Sequence, residues 1–221
     1  MAEKLGLITA TDPMSTASEA YRTLRMNLEF AALDEDLHTL SITSPGPGEG
    51  KSTTLANLAV TMAQVDQQVI AVDCDLRRPH LHHLFALDND RGITTMMLED
   101  EALDDPPLQD TPIAGLRFLG SGTLPPRPAD LLGSKRMEEI IEKLLQDADI
   151  LLFDTPPVLA ATDAAVLATK VNGTLLVFSA GDTKRDHAQR AIERLENVNA
   201  NILGAVLCDA PLEMILEGYY K

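Results

Sequence analysis

The chain has 221 residues, 45% of them hydrophobic, and carries a formal net charge of −16. This length and apolar content predict a folded protein of one or two domains and exclude a disordered polymer. The acidic charge disfavours DNA, RNA and anionic lipid as partners, because each of them is also negatively charged. The sequence shows no signal peptide or membrane-spanning segment, and two cysteines cannot form a disulfide framework, so we expect a protein of the cytosol.

Short apolar segments recur along the chain, and most are continuous rather than alternating, which is typical of strands buried on both faces of a parallel sheet. Segments with helical periodicity lie between them. This order predicts an α/β fold, namely a doubly wound, mostly parallel sheet with helices on both faces. The expected strands are 40–43, 69–73, 116–119, 150–154, 174–179 and 202–207, and the expected helices are 15–33, 52–64, 134–146, 163–169 and 184–197.

Three segments lie outside this alternation, although we expect residues 1–221 to form a single domain. Residues 1–36 contain the first helix, in which Ala20, Leu24, Leu28 and Ala31 form an apolar side at helical spacing. Residues 86–114 are acidic and contain several prolines, which predicts a surface excursion with short helices. Residues 210–221 form a C-terminal tail that ends in a pair of tyrosines.

The stretch SPGPGEGKSTTLANLA, residues 44–59, lies between an expected strand and an expected helix, as a phosphate-binding loop requires. Its glycines allow the backbone to turn N–H groups onto phosphate oxygens, and the helix N-terminus adds a positive dipole. Lys51 would reach the β- and γ-phosphates, and the Ser52 hydroxyl would bind Mg²⁺. Pro45 stands where this pattern usually has Gly or Ala. The residues expected to cradle the nucleotide are Gly48, Glu49, Gly50, Lys51, Ser52 and Thr53.

Carboxylates follow two further strands. Asp73 and Asp75 end the segment VIAVDCD and are followed by Arg77 and Arg78, whereas Asp154 ends the segment DILLFD. Ligands of open α/β sheets bind at the carboxyl ends of the strands, where these acids could support a metal–nucleotide complex. The alternative for Asp73 and Asp75 is a solvated acidic loop that its arginines stabilise.

Taken together, the phosphate-binding loop, VDCDLRRP and LLFDTPP resemble the motifs of the bacterial tyrosine kinases of the capsular exopolysaccharide family. EAYRTLRMN resembles the E-x-x-R-x-x-R helix of that family, with Glu19, Arg22 and Arg25 at the motif positions. The resemblance covers nearly the whole chain. It implies the cytoplasmic catalytic domain of such a kinase, with a P-loop NTPase fold of the SIMIBI-like type.

The resemblance also implies the reaction and the partners. ATP and Mg²⁺ would be used to phosphorylate tyrosines in the C-terminal tail of a neighbouring subunit, here Tyr219 and Tyr220. Subunits would form a ring and pair with a transmembrane activator that controls polysaccharide chain length and export. The chain would then lie at the inner face of the plasma membrane through that adaptor, without inserting into the membrane itself and without binding nucleic acid.

The resemblance and the chemistry of phosphoryl transfer suggest a role for each site residue. Lys51 would hold the β- and γ-phosphates, Ser52 would bind Mg²⁺ directly, and Asp75 and Asp154 would hold it through water. Asp73 would take the phenolic proton, since a tyrosine hydroxyl has a pKa of about 10 and must lose its proton to attack. The roles of Asp73 and Asp75 could be reversed.

Several alternatives stay open at this level. Tyr219 and Tyr220 could be an incidental pair on a variable tail. Glu19, Arg22 and Arg25 could form pairs within their own helix instead of a subunit interface. The site would also suit a P-loop ATPase that switches conformation or assembly, or a scaffold that only binds nucleotide. A DNA-positioning ATPase of the ParA/MinD type is disfavoured, because Gly46 stands where that group has its signature lysine.

Overall fold

A computed structural model describes residues 5–31 and 37–211. The strands are β1 (Thr39–Thr43), β2 (Val69–Asp73), β3 (Gln109–Asp110), β4 (Leu116–Leu119), β5 (Ile150–Asp154), β6 (Gly173–Ser179) and β7 (Ile202–Cys208). They form one sheet in the order β3-β4-β2-β5-β1-β6-β7. All neighbouring strands are parallel except the pair of β3 and β4.

Helices connect these strands and cover the sheet. Their bounds are α1 (Ile8–Thr11), α2 (Thr16–Ala31), α3 (Lys51–Ala63), α4 (Leu81–Phe85), α5 (Ile93–Leu98), α6 (Glu101–Asp104), α7 (Pro128–Leu132), α8 (Lys135–Leu144), α9 (Asp163–Ala168) and α10 (Arg185–Glu196). No helix within the described parts of the chain has the length and apolar character to cross a membrane.

The hydrophobic core lies on both faces of the sheet, as the side-chain alternation of β2 shows. Val69 and Ala71 belong to a cluster with residues of α3 and of the N-terminal helices. Ile70 points to the other face and belongs to a second cluster with residues of α5 and α8. Successive side chains of a strand point to opposite faces, so a continuous apolar strand can serve two helical layers. The predicted doubly wound α/β fold is confirmed.

Two local expectations differ from the structure. The excursion 86–114 contains the short helices α5 and α6, but it also adds β3, an antiparallel edge strand of two residues. The apolar side expected for the first helix is only partly buried: Leu28 is buried and Leu24 half-buried, whereas Ala20 and Ala31 are exposed. The helix is anchored partly by the buried Ser18, whose hydroxyl donates to the carbonyls of Ile8 and Asp12.

The register of the central strands brings the predicted carboxylates to one edge. Asp73 of β2 lies opposite Asp154 of β5, and Asp154 lies opposite Ile42 of β1. The loop that follows β1 leads into α3 at Lys51. The phosphate-binding loop and the acidic strand ends therefore meet at the carboxyl edge of the sheet, where parallel strands end together.

Candidate active site

The loop between β1 and α3 has the backbone geometry of a phosphate cradle. Gly48 and Gly50 adopt φ values of +80° and +88°, which residues with a side chain rarely adopt. Gly50 is the N-cap of α3 and offers no side chain to the first turn of that helix. The amides of that first turn lack partners within the helix and can therefore donate to an anion.

The side chain of Glu49 is committed to the protein rather than to a ligand. Oε2 accepts the N–H of Gly46 at 3.2 Å, and Oε1 accepts the hydroxyl of Thr183 at 2.9 Å. Thr183 lies between β6 and α10, and its hydroxyl oxygen also accepts the N–H of Ser179. Glu49 therefore ties the phosphate loop to the end of β6, and only its backbone remains for a phosphate.

Lys51, Ser52 and two of the predicted carboxylates converge at the start of α3. The ammonium group of Lys51 lies 3.1 Å from Asp75 Oδ2 and 3.2 Å from Asp154 Oδ1. The Ser52 hydroxyl donates to Asp154 Oδ2 at 2.5 Å. Burial lowers the pKa of Lys51, but the neighbouring Asp154 and Asp75 outweigh burial, so the pKa is raised and the side chain stays charged.

Asp73 is enclosed by backbone donors. Its Oδ2 accepts the N–H groups of His80 and Leu81 at 2.9 and 3.0 Å, and its Oδ1 accepts the N–H of Asp75 at 3.2 Å. The residue has no exposed surface. Burial and the nearby Asp154 raise its pKa to about 8. Burial also raises the pKa of Asp154, against the opposing effect of Lys51. Asp73 therefore shapes the loop after β2 and binds a proton more tightly than an ordinary aspartate does.

Asp75 has the better access to the cavity beside the loop. Its Oδ1 accepts the N–H groups of Arg77 and Arg78, and its Oδ2 faces Lys51. The cavity has a volume of about 350 Å³, and its lining consists of Pro47, Gly48, Gly50, Lys51, Ser52, Thr53, Asp75, Arg78, His80 and Pro157. Six of these residues belong to the loop and the first turn of α3.

The donor chemistry fits a magnesium–nucleotide complex. Mg²⁺ prefers oxygen ligands, usually keeps several waters and is often completed by substrate phosphates. Ser52 and Asp154 provide a hydroxyl and a carboxylate in contact, and Asp75 provides a second carboxylate 3.1 Å from Lys51. Within residues 5–31 and 37–211, no group of three or more His, Cys, Asp or Glu side chains forms a metal site by itself. Water and phosphate oxygens would complete the coordination of a Mg²⁺ held by Ser52, Asp75 and Asp154.

The other predicted residues lie apart from this cavity. On α2, Arg22 pairs with Glu19 at 2.6 Å, and Arg25 pairs with Glu29 at 2.6 Å, so both arginines make ion pairs within the helix. These contacts do not test a subunit interface. The predicted acceptors Tyr219 and Tyr220 lie outside the described residues.

Sequence reasoning missed two contacts that hold the site together. Besides the bond between Glu49 and Thr183, Arg77 makes a double hydrogen bond to Asp163, with distances of 2.8 and 2.9 Å. Asp163 is fully buried at the first position of α9. An acid at a helix start is favourable anyway, so nothing in the sequence pointed to Arg77 as its partner.

Comparisons with known proteins place this geometry in a family. A ParA-group family model, described as NUBPL iron-transfer P-loop NTPase, matches residues 36–208. The tyrosine-protein kinase YwqD of Bacillus subtilis (strain 168) is 42% identical over 215 residues, which are 97% of this chain and 90% of that protein. This chain belongs to the bacterial tyrosine kinases. Within the broader P-loop NTPase group of the family model, it is a protein-tyrosine kinase domain.

Further relatives of this tyrosine kinase domain agree. The tyrosine-protein kinase etk of Escherichia coli (strain K12) is 34% identical over 93% of the chain, which spans 28% of that longer protein. The solved structure of the kinase domain of Escherichia coli tyrosine kinase ETK has a TM-score of 0.88 at 33% identity, covering 94% of this chain and 81% of the other. The chimerical protein CapA2B2 has the same TM-score at 34% identity, covering 96% and 92%. The resemblance drawn from the motifs is confirmed.

Proposed function

We propose that this kinase domain uses Mg-ATP to phosphorylate C-terminal tyrosines, Tyr219 and Tyr220, of a neighbouring subunit. The observation that carries the proposal is the convergence of Lys51, Ser52 and Asp154 beside a glycine-rich loop with free helix-terminal amides. Membership of the tyrosine kinase family supports a phenolic acceptor over water. The tail sequence EGYYK supplies two phenols in this same chain.

The residues divide the reaction as follows. The bond between the γ-phosphorus and the β,γ-bridging oxygen breaks, a bond from phosphorus to the phenolic oxygen forms, ADP leaves, and the phenolic proton passes to a carboxylate. Lys51 contacts the β- and γ-phosphates, which draws its ammonium group away from Asp75 and Asp154. Ser52, Asp75 and Asp154 would hold Mg²⁺, which supplies charge neutralisation when bound.

The identity of the proton acceptor stays a prediction with two candidates. Asp73 has the raised pKa that suits a general base for a phenol, yet its oxygens already accept three backbone N–H groups. Asp75 lines the cavity, and although its Oδ1 accepts two backbone N–H groups, its Oδ2 faces the ammonium group of Lys51, which would itself turn to the phosphates. A general base must reach the proton it removes within hydrogen-bond distance, so access favours Asp75 and proton affinity favours Asp73.

We further propose that the kinase works as a head-to-tail homo-oligomer, such as a ring, under a transmembrane activator that brings it to the inner face of the membrane. Glu19, Arg22 and Arg25 would exchange their pairs within α2 for pairs with the next subunit. Exposed ion pairs within one helix contribute little, so exchanging the pair of Arg22 and Glu19 would cost little. Arg25 is more buried than Arg22, so its pair with Glu29 would be the costlier one to exchange. The process served would be the synthesis and export of capsular or exopolysaccharide, as the family resemblance implies.

The test is a phosphotyrosine map of the purified full chain after incubation with Mg-ATP and its activator. We expect modification at Tyr219 or Tyr220, its loss in a variant with both tyrosines changed to phenylalanine, and its loss in Lys51→Met. Mixing Lys51→Met, which keeps the tyrosines, with the double phenylalanine variant, which keeps Lys51, should restore modification if transfer occurs between subunits. Phosphate release with an unmodified tail would instead support an ATPase that acts as an assembly switch.

A further inference from the structure

We propose that Arg78 is a catalytic residue of this kinase domain, whose guanidinium group contacts the transferring γ-phosphoryl group. The proposal rests on the proposed use of ATP as phosphoryl donor. It concerns the second of two consecutive arginines that follow the acidic end of β2, and the structure separates the two clearly.

Arg77 does not line the cavity and makes its contacts with the protein instead. Its Nε and Nη2 atoms donate to the two carboxylate oxygens of Asp163 at 2.8 and 2.9 Å. Asp163 has no exposed surface. Removing the partner of a buried carboxylate destabilises the folded state strongly, so the contact with Arg77 should persist. Such a two-point contact fixes both the distance and the orientation of the planar guanidinium. Arg77 is therefore a positioning residue that fixes the loop after β2 to the start of α9.

Arg78 is held in the opposite way, by its backbone only. Its N–H donates to Asp75 Oδ1 at 2.9 Å, which places the residue beside the carboxylate that faces Lys51. The side chain is exposed and lines the same cavity as Lys51 and Ser52. Among residues 5–31 and 37–211, no carboxylate lies within ion-pair distance of its guanidinium group. Arg78 is thus an exposed cation whose backbone is held at the edge of the phosphate site.

The site has more acidic than basic side chains, so a second cation beside Lys51 would help to bind a phosphoryl group. The loop SPGPGEGKST contains Lys51 as its single basic residue, and the surrounding strand ends carry Asp73, Asp75 and Asp154. During transfer, negative charge is spread over the equatorial oxygens of the phosphoryl group, away from the contacts that hold the β-phosphate. An arginine that reaches these oxygens accelerates phosphoryl transfer by roughly 10³- to 10⁵-fold in other P-loop enzymes. Arg78 is the guanidinium that the cavity offers.

The rival explanation is that Arg78 binds acidic residues near the acceptor tyrosine, such as Glu217. The two explanations predict different results for ATP hydrolysis, in which water replaces the tyrosine as acceptor. A contact with the phosphoryl group would affect intrinsic ATP hydrolysis and the binding of a transition-state analogue, whereas a contact with the acceptor would affect neither.

The experiment uses the full chain with Arg78→Gln and Arg78→Lys, and with Arg190→Gln as a charge-matched control. Arg190 is an exposed residue of α10 that lines a different groove. We expect Arg78→Gln to lower kcat at least about 100-fold, with KM for ATP changed less than about threefold, in tyrosine transfer and in hydrolysis alike. Added guanidinium ion should partly restore the kcat of Arg78→Gln. The control Arg190→Gln should have the kcat and KM of wild type.

The second measurement is the affinity for Mg-ADP with and without aluminium fluoride, which does not need a tyrosine acceptor. Wild type should bind the fluoride complex more tightly than ADP alone, and Arg78→Gln should lose that gain while binding ADP normally. An unchanged gain in Arg78→Gln, or a defect in tyrosine transfer with normal hydrolysis, would overturn the proposal. A wild type that forms no phosphotyrosine would refute the proposed function, and the fluoride measurement would still decide the role of Arg78.

Discussion

The ammonium group of Lys51 lies 3.2 Å from a carboxylate oxygen of Asp154, a residue 103 positions further along the chain. This contact joins the first turn of α3 to the end of β5. Asp75, two residues after the end of β2, forms a second ion pair with the same ammonium group. One lysine therefore balances two buried carboxylates at the place where phosphates would bind.

Replacing Lys51 should abolish kinase activity and weaken the fold. We expect Lys51→Met to lower kcat for phosphotyrosine formation by at least about 100-fold, because the grip on the β- and γ-phosphates is lost. The same change leaves Asp75 and Asp154 without their cation, which should lower the free energy of unfolding by about 1–3 kcal/mol without nucleotide. Denaturant titration measures the second effect. A variant that is inactive yet as stable as wild type would show that the ion pairs contribute nothing to folding.

The proton acceptor can be identified by comparing Asp73→Asn with Asp75→Asn. When the true acceptor is replaced, kcat should fall at every pH, while nucleotide binding persists. The acidic limb of the pH–rate profile, which is the decrease of kcat towards low pH that reports protonation of the acceptor in wild type, should also disappear. The other variant should retain that limb. Mg-dependent binding of a fluorescent nucleotide is the control, since a carboxylate that mainly holds the metal complex should weaken binding. Retention of the acidic limb in both variants would exclude both residues.

The raised pKa of Asp73 predicts an unusual dependence of stability on pH. The carboxyl titrates near its ordinary value of 3.8 in the unfolded chain but at about 8 in the fold. Between these values the folded state binds more protons, so the free energy of unfolding should fall as the pH rises from about 4 to 8. We expect the loss of stability between about pH 4 and 8 to be smaller in Asp73→Asn than in wild type by more than about 1 kcal/mol. A pKa difference of less than about one unit between the folded and unfolded states is enough to produce an effect of that size.

Denaturant titrations at pH 5 and pH 8 measure this difference in protein without nucleotide or metal. Mg-nucleotide should also reduce the fall, because a nearby cation favours the ionised carboxylates. If wild type and Asp73→Asn lost stability equally between the two pH values, the carboxyl of Asp73 would not carry the effect.

The bond between Thr183 and Glu49 should tune nucleotide affinity. Removing the hydroxyl leaves Glu49 Oε1 with one donor fewer, and hydrogen bonds to charged groups contribute about 1.5–3 kcal/mol. We expect Thr183→Val to raise KM for ATP about 5- to 10-fold with a smaller change in kcat. Thr183→Ser keeps the hydroxyl group and should have the KM of wild type. Thr169→Val is a matched control, because that hydroxyl bonds only within its own turn.

A double-mutant cycle with Glu49→Gln makes this test specific. If the two side chains act through their mutual bond, the effect of Thr183→Val should be smaller in the Glu49→Gln background. Fully additive effects on KM would mean that the loop of Thr183 influences nucleotide binding by another route.

Much of the fold could be predicted from the sequence. All six strands expected from continuous apolar segments are present, and their ends differ by no more than one residue. The sequence also predicted that the loop of Lys51 and the three aspartates would share one edge. Parallel strands all end at the same edge of a sheet, so the position of an acid at the end of a strand is enough to place it there.

Other features needed the tertiary structure. The strand β3 is two residues long and has no periodicity to detect. Asp73 and Asp75 are alike in sequence, yet one is enclosed by N–H groups and the other faces the cavity, because the turn of the following loop aims their side chains differently. The same turn divides Arg77, fixed on Asp163, from the exposed Arg78.

The sequence by itself determined which elements form, in what order, and which chemical groups stand at their ends, since these depend on neighbouring residues and on hydrophobic period. Only the tertiary structure decided which of these groups touch. Thr183 and Glu49 are 134 residues apart, and their contact depends on how α10 and α3 pack on the sheet. Hydrogen bonds need a narrow range of distance and alignment, whereas a sequence pattern places a side chain only to within an element.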